Sequence, residues 1–383
     1  MRILHTADWH LGKIVHGVHM TNDQAHVLDQ LLKIIKDEKP DCLIIAGDIY
    51  DRSIPPKEAV QLLDHVLTEI IVDFQIPILI ISGNHDSPDR LQFGNRLFRE
   101  NQLIIQTNIS QSAETITLHD EDGPVHFHLI PYIEPADARA YFGDETINSH
   151  EQAMEKIVEE IKQHADMKER NVIVGHAFLA GGMESESEER LSMIGGSPYI
   201  DSQLFKDFSY VALGHLHQRQ KVNFDHIQYS GSILKYSFSE EKHIKSVQMV
   251  ELTKDELQIK RIPLDPKYDM RIIEGYFQEI LTSETYPASD DYLHIRLLDD
   301  GQLIDPIGKL RKKFPNTLRL ERAVLQGTKK LDDLQRMKER QQMNHEQLFS
   351  SFYEELKGET LPPSRAAYIN QIIDQLTRKE RGK

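Results

Sequence analysis

Ile78-Leu79-Ile80-Ile81-Ser82-Gly83-Asn84-His85-Asp86 is an unbroken apolar run that gives way to Ser82-Gly83 and then three residues with ligating or proton-transfer side chains. The β-branched residues at 78, 80 and 81 predict a strand buried on both faces, because a half-exposed strand alternates apolar and polar positions. Polar residues at the carboxyl end of such a strand sit where open α/β sheets place their ligands. The same three residues would also serve as an ordinary capped turn. The rest of the chain decides between the two.

Four other apolar runs end in the same way. Arg2 to Ala7 leads into Asp8-Trp9-His10-Leu11-Gly12, and residues 42–46 lead into Gly47-Asp48. Residues 171–175 lead into His176, and residues 210–214 into His215-Leu216-His217. Between the early strands, Ala25, Leu28, Leu31, Leu32 and Ile35 recur at helical spacing, with Pro40 as the stop. Pro55-Pro56 opens a second helix that places Val60, Leu63, Val66, Leu67 and Ile70 on one face, and a third is expected over 87–101. Strands alternating with helices predict a parallel α/β core. Residues 103–132 change to short alternating strands, which suggests a second, mixed or antiparallel sheet packed on the first. A helix over 151–165 follows, then a Gly-, Ser- and Glu-rich stretch over 180–196 that reads as a mobile loop, and strands at 227–230 and 246–252.

Pro263-Leu264-Asp265-Pro266 is the expected domain boundary, giving a main domain of residues 1–265. Residues 266–330 read as a small α+β unit with strands over 270–277 and 293–297. In 331–383, Leu348, Phe349, Phe352, Tyr353 and Leu356 form one apolar stripe, and Tyr368, Ile369, Ile372, Ile373 and Leu376 another. Two amphipathic helices are expected there, joined over 358–364 through Pro362-Pro363.

At 383 residues the chain exceeds one typical domain. Its longest apolar runs are far too short to span a bilayer, and its first residues read as a strand rather than a signal peptide. A lone cysteine, Cys42, excludes an internal disulfide and fits a reducing compartment, so no membrane and a cytoplasmic location are expected. A net charge of −16 is unlike a protein that merely coats nucleic acid. Metal ions in a carboxylate-rich site reverse the local sign, so an acidic enzyme of nucleic acid stays open.

Asp8, His10, Asp48, Asn84, His85, His176, His215 and His217 all fall at strand ends, in the order Asp-x-His, Gly-Asp, Gly-Asn-His-Asp, Gly-His and Gly-His-x-His. Each alone has a structural explanation, but five such coincidences do not share one. Carboxylate, imidazole and amide donors without thiolate favour a borderline divalent ion such as Mn²⁺ or Fe²⁺ over Ca²⁺ or structural Zn²⁺. The donors are too many for one ion, which implies two metals about 3.5–4 Å apart. Asp48, from a central strand, is the natural bridge. Two ions sharing a phosphoryl charge and activating a water point to phosphoester hydrolysis.

This motif series resembles the calcineurin-like metallophosphoesterases. The resemblance implies a sandwich of two mixed β-sheets flanked by helices, with Asp8, His10, Asp48 and His217 around one ion and Asp48, Asn84, His176 and His215 around the other. It casts His85 as the catalytic histidine that contacts phosphate or protonates the leaving oxygen, and Asp86 as its orienting carboxylate.

Within that superfamily, His5-Thr6-Ala7-Asp8-Trp9-His10-Leu11-Gly12-Lys13, Gly83-Asn84-His85-Asp86 with Arg90-Leu91, Gly214-His215-Leu216-His217, Tyr229-Ser230-Gly231-Ser232 and Tyr236-Ser237-Phe238-Ser239-Glu240 are similar to the nuclease subunits of bacterial double-strand-break repair complexes. That likeness implies two Mn²⁺ (with Mg²⁺ or Fe²⁺ as substitutes), 3′→5′ exonuclease action on duplex DNA and endonuclease action on single strands and hairpins. It implies an ABC-type ATPase partner with a long coiled coil, on which the C-terminal helices dock, and a homodimer within a heterotetramer formed through 57–72 and 89–99. It makes residues 266–330 a DNA-capping domain. Two departures stand out: some relatives carry histidine where this chain has Asp51, and many carry Ser-Glu-Arg-Pro where it has Ser187-Glu188-Glu189-Arg190. Arg52, Lys57, Arg90 and Arg96 are candidate DNA contacts. Gly47-Asp48-Ile49-Tyr50-Asp51-Arg52 also resembles Ser/Thr protein phosphatases, which keeps a phosphatase or small-molecule phosphodiesterase as the rival reading. A non-catalytic scaffold would be expected to have lost at least one ligand.

Overall fold

The computed structural model describes residues 1–111, 114–188 and 199–322, with isolated positions between 350 and 366. The C-terminal helices expected over 331–383 lie almost wholly outside the described residues, as does 189–198 of the expected loop. Two compact units divide the chain: Met1–Ile272 with Ser289–His294 and Phe314–Arg319, and Ile273–Ala288 with Ile295–Lys313 and the residues from Leu320 onward.

The first unit is built on two six-stranded sheets. One runs Leu257–Pro263, Ser246–Leu252, Arg2–Thr6, Cys42–Ala46, Ile78–Ile81, Leu103–Gln106, and its last four strands are parallel. The other runs Gln220–Val222, Phe224–Tyr229, Tyr210–Gly214, Arg170–His176, Gly123–Ile130, Thr115–Asp120, with its four inner strands parallel and both edges antiparallel. The second sheet is therefore mixed.

Strand parity explains the unbroken apolar runs. Ile3, Cys42, Ile44, Leu79 and Ile81 face the other sheet, where they meet Phe127, Leu129, Val172, Val174 and Ala212. Leu4, Leu43, Ile45, Ile78 and Ile80 face outward, under Leu28, Leu31 and Ile35 of the helix Thr21–Glu38 and Leu63 and Val66 of the helix Lys57–Thr68. The helix His150–His164 covers the outer face of the second sheet through Ile157, Val158 and Ile161. Every residue of Cys42–Ala46 and Ile78–Ile81 is buried, and each large aliphatic contributes about 1.5–3 kcal/mol.

Three expectations need correction. The helix expected over 87–101 is two short pieces, Pro88–Leu91 and Asn95–Arg99, because Gly94 turns left-handed at φ +77° between them. The break leaves Phe93 82% and Leu97 72% exposed. Val60 lies 44% exposed instead of on the inner face of its helix. The strand expected over 270–277 stops at Gly275, since Phe277 begins the helix Phe277–Thr282.

Beyond the sandwich, Met270–Gly275, Tyr292–Leu297 and Thr317–Arg322 form a three-stranded sheet in that order. In the second unit, Lys313 at the end of the helix Pro306–Lys313 donates to the carbonyls of Ile280 and Leu281, at 2.9 and 3.1 Å.

Candidate metal centre

The strand-end loops of the two sheets meet. Asp8 N–H donates to the Gly47 carbonyl at 3.1 Å and His10 N–H to the Asp48 carbonyl at 2.9 Å, so the loops after the first two strands run side by side. Tyr132 N–H bonds the Ser82 carbonyl at 2.9 Å, and His215 N–H donates to Asp8 Oδ1 at 2.9 Å, tying the second sheet to the first. Two glycines permit this approach. A Cβ on Gly214 would lie 1.9 Å from the Ala46 carbonyl oxygen, and one on Gly83 would lie 2.1 Å from Asp48 Oδ1.

The backbone is strained here. Asp8 (φ 54°), His10 (φ 46°), Asp48 (φ 50°) and His215 (φ 104°) all have positive φ, each at a cost of about 1–3 kcal/mol that the surrounding hydrogen bonds must offset.

Donor atoms of Asp8, His10 and His217 lie within 4.8 Å of one another, as do those of Asp8, Asp48 and His176. All five residues are buried. His215 Nδ1 lies 3.3 Å and His176 Nε2 3.1 Å from Asn84 Oδ1. The structure thus gathers every strand-end residue singled out above; His85 joins through a third group, its ligand atom within 4.8 Å of those of His10 and Asp51 and its ring centroid 4.8 Å from that of His10.

These atoms fit a pair of cations. His176 Nδ1 donates to the Ala46 carbonyl at 2.8 Å, so its Nε2 presents a lone pair to Asn84 Oδ1 and, at 3.4 Å, to Asp48 Oδ2. His10 Nε2 lies 3.0 Å from His217 Nε2 and 3.6 Å from Asp48 Oδ2. Asp8 Oδ2 is buried without a hydrogen-bond partner among the described residues. Acceptors turned toward acceptors need a positive charge between them. Without a metal a proton fills the gap: burial alone would lower His176, but the Asp48 charge and hydrogen bond carry it up to about 9. Burial raises Asp8 to about 7, with the Asp48 charge adding to it. Burial lowers His215 to about 3 and holds His10 well below its usual range, as neutral imidazoles suited to ligation.

Asp86 reaches the backbone of two strand-end loops. Its carboxylate accepts the backbone N–H groups of Tyr50 (2.9 Å), Ile49 (3.1 Å) and Gly83 (2.9 Å), pinning two strand-end loops together. His85 has Nδ1 3.0 Å from the Asp51 carbonyl oxygen and donates its own N–H to Asp48 Oδ1 at 3.0 Å. Asp86→Ala leaves three buried donors without an acceptor, at about 1–3 kcal/mol each. Its urea midpoint should fall by an amount equivalent to at least about 3 kcal/mol with an unchanged slope.

Several neighbours of the cluster have no role assigned from the sequence. Asp51 bonds Lys13 Nζ at 2.7 Å and lies 3.6 Å from His10 Nδ1. Gln24 Nε2 donates to the His10 carbonyl at 2.7 Å from inside a helix, where only an unexplained buried glutamine hinted at a role. Ser187, Glu240 and Lys245 surround His217, and no strand-end signal marks them.

Two mixed sheets between helices, with acceptor-rich loops gathered at their ends, define a metal-dependent phosphoesterase fold. Residues 1–219 match the calcineurin-like phosphoesterase family, and the chain belongs to that family. Residues 266–357 match a family described as the type 5 capsule protein repressor C-terminal domain. Over 377 residues the chain is 34% identical to the SbcD subunit of the SbcCD nuclease of Staphylococcus saprophyticus, and 98% of each chain is covered. Two solved structures are more distant. A dimetal phosphatase from Danio rerio has a TM-score of 0.45 at 12% identity, covering 69% of this chain and 96% of that one. A protein of Thermus thermophilus has a TM-score of 0.40 at 11% identity, covering 68% of this chain and 98% of that one.

Proposed function

We propose that this chain is the nuclease subunit of a DNA-end-processing complex, a two-metal phosphodiesterase with 3′→5′ exonuclease action on duplex DNA and endonuclease action on single strands and hairpins. The observation that carries the nuclease reading is the end-to-end likeness to an SbcCD nuclease subunit, which covers 98% of each chain and continues past the catalytic fold. The partner would be an SbcC-type ABC ATPase, with residues 331–383 docking on its coiled coil and 266–330 capping the DNA. The compartment would be the cytoplasm; no described helix is long and apolar enough to cross a membrane.

Asp8, His10, Asp48 and His217 would hold one Mn²⁺, and Asp48, Asn84, His176 and His215 the other. Such a pair, when bound, supplies Lewis acidity and a nucleophilic water. The protein's own share is placement. Asp48 presents Oδ2 to His10 and His176 from both sides while Oδ1 fixes the His85 backbone. His85 holds its Nδ1 proton on the Asp51 carbonyl, which leaves Nε2 as the nitrogen that receives or delivers a proton at the phosphoester.

Nucleotide release from a 3′-labelled linear duplex tests the reading. Mn²⁺-dependent, chelator-sensitive release supports it. An intact duplex, also with the ATPase added, combined with hydrolysis of p-nitrophenyl phosphate or a phosphopeptide, puts a phosphatase in its place.

The homodimer would form through 57–72 and 89–99, where Val72, Phe93 and Leu97 are exposed at 63%, 82% and 72%. An apolar surface of this kind marks an interaction site. The double change Phe93→Glu with Leu97→Glu should turn a sedimenting dimer into a monomer. A dimer that persists at micromolar concentration would put the interface elsewhere.

A further inference from the structure

We infer that Ser187, backed by Glu240, is a positioning residue that fixes the tautomer and tilt of His217 and thereby the affinity of one of the two metal positions. The inference rests on the two-metal reading above.

The observation is a chain of contacts running away from the metal cluster. His217 Nδ1 lies 2.8 Å from Ser187 Oγ, and Ser187 Oγ lies 2.6 Å from Glu240 Oε1. Glu240 is wholly buried and ion-paired with buried Lys245, so it is a carboxylate that only accepts. Ser187 has one proton; Ser185 Oγ also lies 2.8 Å away, but the charged carboxylate of Glu240 is the nearer and stronger acceptor and takes it. His217 must then donate from Nδ1, which leaves Nε2 with its lone pair, and Nε2 is the atom 3.0 Å from His10 Nε2. A carboxylate acting on a metal-binding imidazole usually does so directly; here Glu240 Oε1 lies 3.5 Å from His217 Nδ1 and the Ser187 hydroxyl, at 2.8 Å, is the nearer partner.

The same group holds the histidine backbone. His217 N–H donates to Glu188 Oε1 at 2.7 Å, and Lys245 Nζ donates to the His217 carbonyl at 2.8 Å and to Ser232 Oγ at 2.7 Å. Ser185 N–H and Oγ both bond Glu188 Oε2 at 2.6 Å, and Glu186 N–H bonds Ser239 Oγ at 2.9 Å. Residues 185–188 are therefore seated on the strand-end loop that carries His217. The segment that departs from the Ser-Glu-Arg-Pro pattern thus keeps, in its first two residues, the groups that touch the ligand.

The test is metal binding to the full-length, DNA-free protein. Mn²⁺ is titrated by calorimetry, and the same samples are read by electron paramagnetic resonance, where two ions about 3.5–4 Å apart are magnetically coupled. The unaltered protein should take up two ions; if it does not, the two-metal reading fails before the inference is reached. Given two ions, Ser187→Ala should weaken one by about 10- to 100-fold, the range for loss of a group behind a ligand. It should also replace the coupled spectrum with the six-line signal of an isolated Mn²⁺ at intermediate loading. Ser187→Thr, which keeps the hydroxyl, should restore both, and Glu240→Gln should weaken the same ion. Two ions binding Ser187→Ala with unaltered affinity and coupling would overturn the inference. Equal weakening of both ions would do so too, since a relay through His217 is local to one.

Discussion

Asp48→Asn should leave a folded protein that no longer holds two metal ions and has lost nuclease activity by on the order of 10³-fold or more. Asp48 reaches toward both groups of donors, with Oδ2 at 3.6 Å from His10 Nε2 and 3.4 Å from His176 Nε2. Asparagine would put either a weaker oxygen donor or an N–H into that position. Lewis-acid stabilisation of a phosphoryl transition state supplies several kcal/mol, and each 1.4 kcal/mol or so is a factor of ten in rate. The fold should survive, because removing the Asp48 charge relieves Asp8 and Asp86, both of which it pushes up after burial has done so. Metal stoichiometry by calorimetry, circular dichroism and release of labelled nucleotide check the three parts separately. Two bound ions in the variant would remove Asp48 from the bridging role.

His85→Gln should give the opposite pattern: metal binding intact, turnover down by about 10²–10⁴-fold, the usual share of a general acid or base. The His85 backbone N–H bonds a proposed ligand, through Asp48 Oδ1, and glutamine keeps that N–H. Its side-chain amide can still reach the Asp51 carbonyl, but it has no nitrogen that titrates near neutrality. The loss should appear in the maximal rate at saturating Mn²⁺ and DNA, with little change in the apparent metal affinity. A variant that binds Mn²⁺ more weakly by the same factor as it loses rate would recast His85 as a ligand.

The strand ends announced the site because parallel strands buried on both faces leave few places for polar residues. Asp8, His10, Asp48, Asn84, His176, His215 and His217 stand out in the sequence for that reason. Periodicity likewise gave the helix that carries Ala25 to Ile35 and ends before Pro40, observed as Thr21–Glu38. It failed over 87–101, where one left-handed glycine outweighs a pattern of apolar residues that otherwise suits a helix. It also misjudged Val60, which has the right spacing for the inner face but lies 44% exposed.

Sequence alone determined which residue types could meet a phosphoester and its metal ions, since donor chemistry is a property of the side chain. The tertiary structure decided how those donors are held. Positive φ at Asp8, His10, Asp48 and His215 arises from loops of two sheets pressed together, and no local propensity predicts it. The Asp86 carboxylate holds three backbone amides drawn from two loops. Ser187, Glu240 and Lys245 come together around His217 from positions far apart in the chain, and only folding brings them within hydrogen-bond reach. Hydrogen bonds require contact at about 3 Å, and contact between distant residues is what a linear sequence does not specify.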